Sequence, residues 1–175
     1  MASFTLDPRT APEPHAQTHR DWSVGGVILI VVACLAVEGV GGLAAGGSGR
    51  SWHLDLSGPA WAPPDWAFGP AWSVQYALMA LAGSVVWLAR DRDDVSCPLA
   101  AFGLQLAANL GWTLLFFGLH SPLAAFLGAL LLWAAVGLTV VHFFGVSRLA
   151  GWLLVPYWAL VTYAALLNGS IVAMT

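Results

Sequence analysis

The chain reads as long apolar stretches separated by short polar breaks. A first apolar run covers residues 22–45 and a second covers 70–89. Beyond Cys97 the sole formal charge is Arg148, and turn signals at 118–122 and 145–148 divide that stretch into runs at 98–118, 122–144 and 149–172. Each run reaches the roughly 20 residues that a helix needs to cross a hydrocarbon layer. None alternates apolar and polar positions as membrane barrel strands must, and lipid cannot satisfy open strand edges. The pattern predicts an all-α integral membrane protein, a five-transmembrane-helix bundle. Pro70 is expected at the first position of the second helix, where its missing N–H costs nothing.

Ahead of the first run, residues 1–21 mix Pro8, Pro12 and Pro14 with charges of both signs and show no apolar period, so a disordered tail is expected. Residues 22–175 are then one membrane domain. A cleaved signal would set a basic segment before a short apolar core, which this chain lacks, so the first run is expected to be retained.

Composition agrees with a membrane class: of 175 residues, 59% are hydrophobic and only 9% charged, with a mean hydropathy of +0.77. A soluble domain carries about a quarter charged residues. The six basic residues are all Arg and form no stripe, which excludes a nucleic-acid partner. If the helices alternate in direction, Arg9, Arg20, Arg90, Arg92 and Arg148 share one side of the membrane against Arg50 on the other. The positive-inside rule then sets the N-terminus in the cytoplasm. Cys34 lies inside one apolar run and Cys97 begins another, so no disulfide is expected.

The connection at 46–69 is longer than compact proteins ordinarily use without purpose. It opens on a glycine-rich leader, but residues 52–66 hold Trp52, Trp61 and Trp66 with Pro59, Pro63 and Pro64. Proline stiffens backbone and indole supplies amphipathic surface, so a long structured loop lying over the bundle mouth as a lid is expected.

Several residues inside the runs bear on function. Trp22, Trp87 and Trp152 lie near span ends, where indoles anchor at headgroups. Trp61, Trp72, Trp112 and Trp133 read either as core packing or as the wall of a pocket for a flat apolar ligand. In the third run Gly103, Ala107 and Gly111 form a small-residue ladder suited to close helix packing, including a dimer partner. Gln105, Asn109 and Trp112 fall about 200° around the same helix, at 100° per residue, and offer amides and an indole to an interior cavity or to a neighbouring helix. In the fifth run Pro156 permits a kink, while Tyr157, Ala164 and Asn168 share a face that either closes the cavity or simply packs. Glu38 is the one carboxylate inside a span: a functional candidate, or, with Gly39, Gly41 and Gly42 following, a side chain reaching the interface. His53, His120 and His142 have no metal-site spacing, and interfacial roles are favoured over axial haem ligation. No phosphate loop, nucleophile elbow or zinc pattern occurs, so the residues point to a pocket and not to an enzyme.

The block Pro59-Ala60-Trp61-Ala62-Pro63-Pro64-Asp65-Trp66, followed by Gly69-Pro70-Ala71-Trp72 and Tyr76, then Gln105, Asn109, Trp112, Phe116 and Phe117, then Pro156-Tyr157 and Leu167-Asn168, resembles the tryptophan-rich sensory protein family, also called TspO or translocator protein. The resemblance runs in order over residues 22–172. It implies a membrane receptor, sensor or transporter that takes tetrapyrroles such as protoporphyrin IX or haem as ligand, with no cofactor required, and in some members sterols. By the same resemblance Trp61, Trp72, Tyr76, Asn109 and Trp112 are pocket positions, with Tyr76 and Asn109 hydrogen-bonding the ligand, and a homodimer forms through the third helix. Light-dependent porphyrin degradation is proposed for some members. The chain departs from the family in span five, where the usual Pro-Tyr-x-x-Trp ends in Leu160 and Trp158 points elsewhere; photochemistry relying on that indole is not expected. No basic residue follows Tyr157 or Tyr163, so the proposed sterol motif is incomplete. Gly58 replaces a family cation ahead of Pro59.

Overall fold

A computed structural model describes residues 14–46, 59 and 61–174, with side chains from Ser23 onward except Asp65. Its helices are α1 (Pro14–Ala45), α2 (Phe68–Leu88), α3 (Ser96–Thr113), α4 (Pro122–Val146) and α5 (Arg148–Met174). All five are long and apolar enough to cross a membrane. The helix count and the span limits follow the apolar runs to within a few residues. Helix α1 reaches back to Pro14, into the segment expected to be a tail, and residues 1–13 lie outside the described residues.

Helix α2 begins two residues earlier than expected, so Pro70 sits at its third position and not its first. The cost is small, because an amide in the first turn has no intrahelical partner to lose. A short 3-10 turn, Asp65–Ala67, leads the loop into this helix. Helix α3 does not stop at Thr113: it widens into a π turn, Leu114–Gly118. The chain then reverses through His120, whose φ of 52° is rare for a residue with a Cβ. Ser121 caps α4, its hydroxyl accepting from the Ala124 amide at 3.4 Å, with Pro122 at the first helical position.

Packing follows chain order except that α2 meets α5 more than α3, and α1 also touches α3. Helices α4 and α5 pair along their length, α3 lies against α4, α1 against α2, and α2 returns to α5 to close the bundle. Helix α1 is the peripheral member, presenting Ile28, Leu29, Val32, Leu35 and Leu43 outward to lipid. It is held at its N-terminal end by a clamp. The Trp87 indole donates to the Ser23 carbonyl at 3.1 Å, Arg90 donates to the Ser23 hydroxyl at 2.7 Å, and the Arg90 guanidinium lies 4.6 Å from the Trp87 ring centre. Gly26 makes room for that indole; a Cβ there would overlap Trp87. At the start of α3, Asp94 accepts from both the amide and the hydroxyl of Ser96, at 3.0 and 2.6 Å. Those two bonds, the hydroxyl's first, hold its carboxyl below the usual carboxylate range. Cys34 is buried and Cys97 exposed, and both are free thiols.

Candidate functional site

A cavity of about 200 Å³ opens between α1, α2, the end of α3 and α5. Its aromatic wall is Trp72 and Phe68 from α2 with Trp112, Phe116 and Phe117 from α3 and its π turn. The Trp72 ring lies 5.4 Å from Trp112 and 6.3 Å from Tyr76, and Trp112 stacks on Phe116 at 6.4 Å. A π turn spends an extra residue per turn and is common at functional sites. Here it accompanies four consecutive-turn residues, Trp112, Thr113, Phe116 and Phe117, all facing one cavity. The opposite wall is small: Gly41, Gly42 and Ala45 of α1, Gly69 of α2 and Ala164 of α5.

Polar groups on the wall are few. Glu38 of α1 accepts a hydrogen bond from the Ser73 hydroxyl of α2 at 2.6 Å. Both residues line the cavity, and Glu38 stands seven residues before the end of α1, about 10 Å inward at 1.5 Å per residue. The helix continues past Gly39, Gly41 and Gly42 to Ala45, so the carboxylate belongs to the cavity within the span. Asn168 spends an amide proton on the Ala164 carbonyl at 2.8 Å. Its Oδ1, and the Nε1 of Trp112, are buried without a hydrogen-bond partner. Native proteins rarely leave such atoms unpaired without a reason, and a bound ligand is one.

Of the residues expected at a pocket, Trp72, Tyr76, Trp112, Ala164 and Asn168 line this cavity. Gln105, Asn109 and Tyr157 do not. They lie sealed beneath it, each with no exposed surface. Asn109 accepts from the Tyr76 hydroxyl at 2.7 Å and donates to the Tyr157 hydroxyl at 2.8 Å, so both ends of its amide serve the protein and the expected bond from Asn109 to a ligand is replaced by a tie across α2, α3 and α5. Gln105 reaches the Met79 sulfur at 3.6 Å. Tyr157 supports the cavity floor, its ring 6.3 Å from Trp72. This is the physical ambiguity of a polar residue in a span: pairing with a neighbour and pairing with a ligand look the same in sequence.

Trp61 is also off the wall. It is half-exposed, stacks edge-on against Tyr163 of α5 at 5.5 Å, and its carbonyl accepts from the Tyr163 hydroxyl at 3.2 Å. That contact docks the proline-rich segment onto α5; the lid expected over 52–66 otherwise falls mainly on Trp52 and other positions outside the described residues. Trp133 faces away from the cavity, packed on Trp158 at 5.4 Å and donating to the Thr162 hydroxyl at 2.9 Å. Leu160 is half-buried and off the cavity wall, and Trp158 points to α4 as helix geometry required. Sequence reasoning missed Phe68, Gly69, Ser73, Thr113 and Leu167, all wall residues. Phe68 stands four residues before Trp72 and Ser73 three before Tyr76, helical spacings that carried a usable signal; the π turn that holds Phe116 and Phe117 was announced by no sequence feature.

On α3 the two faces part as expected. Gly103 and Ala107 are exposed and Gly111 half-exposed, and a Cβ at either glycine would meet nothing within 4 Å. His120 and His142 lie outside the cavity wall, His53 lies outside the described residues, and no group of three or more His, Cys, Asp or Glu able to hold a metal occurs among the described residues.

Comparison with known proteins accords with this architecture. The chain is 38% identical over 147 residues to the tryptophan-rich protein TspO of Chlorobaculum tepidum, covering 83% of this chain and 93% of that one. It is 39% identical over 141 residues to the protein CrtK of Rhodobacter capsulatus, covering 80% and 86%. Human translocator protein is 36% identical over 124 residues, covering 70% and 73%. The sequence pattern of the TspO/MBR family matches residues 28–174, and with five membrane-spanning helices around a Trp-walled cavity this chain belongs to that family, as an integral multi-pass membrane protein.

Proposed function

We propose that the protein is a membrane receptor or carrier that binds a tetrapyrrole at the cavity between α1, α2, α3 and α5. The observation that supports this most is the facing pair Trp72 and Trp112, 5.4 Å apart and backed by Phe116, which offers a flat ligand an aromatic edge. The enclosed volume of about 200 Å³ is below the 300 to 1,000 Å³ usual for drug-sized ligands. A macrocycle therefore inserts one edge and leaves the rest beyond the mouth. The test is a dark titration with protoporphyrin IX, following Soret shift and tryptophan quenching, for wild type and Ala164→Leu. Ala164 lines the cavity, and the added bulk narrows it at about 1 to 3 kcal/mol of packing strain. Saturable binding that weakens at least tenfold in the variant supports the reading; non-saturable partitioning alike in both proteins overturns it.

The same reading takes the protein as a binder and not an enzyme, so illuminating the porphyrin complex leaves the Soret band in place; bleaching with a defined product would make it a photooxidase. The uncovered Gly103, Ala107 and Gly111 face supports a homodimer through α3. The Arg distribution supports a cytoplasmic N-terminus, checked by labelling single cysteines introduced at Asp93 and His120 from either side of sealed vesicles.

A further inference from the structure

The cavity is rich in acceptors and poor in donors. Its hydroxyl protons are already committed: Ser73 to Glu38, Tyr76 to Asn109, and Thr113 to the Asn109 carbonyl at 3.0 Å. What remains is one indole donor, the unpartnered Nε1 of Trp112, against the unpartnered Oδ1 of Asn168, 3% exposed, and the free acceptor capacity of Glu38. A carboxylate has room for about four hydrogen bonds, and among the described residues Glu38 receives one. Among the described residues no Arg lines the cavity, and the chain has no Lys. A carboxylate within a span is costly unless something cationic or donating meets it. Among the described residues the protein supplies the Ser73 hydroxyl and no cation, and the same cavity is lined by Trp72, Trp112, Phe116 and Phe117, whose ring faces favour cations.

We propose that the cavity binds a flat aromatic amine in its protonated form, the ammonium on Glu38, a further donor on Asn168 and the rings against the wall that Trp72 and Trp112 form together. The size limits the class. A cavity of about 150 Å³ accepts benzene, so about 200 Å³ takes a bicyclic ring whole and only an edge of a larger system. The polarity also sets the sign: an anionic head at Glu38 meets like charge, and no Arg among the described residues lines the cavity to relieve it. This goes beyond the tetrapyrrole reading and is tested without any porphyrin, so the two stand or fall separately.

The experiment is calorimetric titration of the full chain in an uncharged maltoside detergent, with micelle blanks, using three probes on one ring: 1-naphthylmethylamine, 1-naphthalenemethanol and 1-naphthaleneacetate. The amine binds saturably and at least tenfold more tightly than the acetate. In Glu38→Gln the amine loses at least tenfold while the alcohol keeps its affinity, which also shows that the cavity is intact. Ser73→Ala gives a second route that leaves Glu38 in place: removing the carboxylate's internal donor raises amine affinity. Equal affinity for amine and acetate in the wild type, an unchanged amine affinity in Glu38→Gln, or a fall in Ser73→Ala would each overturn the proposal.

Discussion

The two faces of α3 are made from the same 18 residues and solve opposite problems. One carries Gln105 and Asn109, both with no exposed surface, and Trp112 at 6%. The other carries Gly103 and Ala107, both open to the surroundings. The first is polar and covered because a membrane interior cannot hydrate an amide: Asn109 finds both its partners on other helices, while Gln105 reaches Met79 and its Oε1 stays unpaired. The second is small and bare because in lipid close approach of backbones, and not apolar burial, is what draws helices together. Polarity in this helix marks the inside of the bundle, the reverse of a soluble helix.

The largest test of that contrast is Asn109→Leu. It strands the hydroxyls of Tyr76 and Tyr157 in one step, and leaving a buried polar group unpaired costs about 1 to 3 kcal/mol each. A fall of several degrees in the unfolding midpoint in detergent is expected, with ligand affinity changing only as a secondary result. On the bare face, Ala107→Trp should leave that midpoint nearly where it was, since exposed substitutions away from special features stay within about 0.5 kcal/mol. Its effect falls on the proposed α3 dimer: light scattering should find a dimer for the wild type and a monomer for the variant.

A smaller effect is expected at the flank of the covered face. Thr139 of α4 sends its hydroxyl to the Ala101 carbonyl of α3 at 3.1 Å and to its own helix at Ala135, 2.8 Å. Thr139→Val keeps the shape and removes the bond, for a loss of about 1 kcal/mol by thermal unfolding. The smallest effect lies at the entrance to α3. The Asp94 carboxyl is lowered by its Ser96 bonds, so its contribution is present above the unfolded carboxyl range near 3.9 and is lost as pH falls through the lower folded value. Asp94→Ala should therefore be slightly less stable than wild type at neutral pH, with the gap closing below about pH 4.

The five spans were legible because lipid imposes a length and a composition on every crossing, and the apolar runs state both. The opposed faces of α3 were legible because 100° per residue is arithmetic. The cavity was only partly so. Trp72, Trp112 and Asn168 could be named, since an indole or amide inside a span needs a partner, Ala164 because it shares a helical face with Asn168, and Tyr76 through the family resemblance alone. Glu38 stood open between cavity and interface until the helix was seen to continue past its glycines. Asn109 and Tyr157 found their partners in each other, and Phe117 and Thr113 reached the wall beside a π turn. Which helices adjoin is a property of the packed bundle, and no single run contains it.

The Ser23, Trp87 and Arg90 clamp has a mechanical consequence. It fastens α1 at one end, whereas the cavity end of the same helix holds Gly39, Gly41 and Gly42, each costing about 1 kcal/mol of helix propensity relative to alanine. No added Cβ at Gly39 or Gly42 would touch a neighbour within 4 Å. Stiffness therefore grades along α1, from a bolted base to a pliant tip, and the wall that carries Glu38 is the one the bundle can most cheaply swing aside to admit a guest.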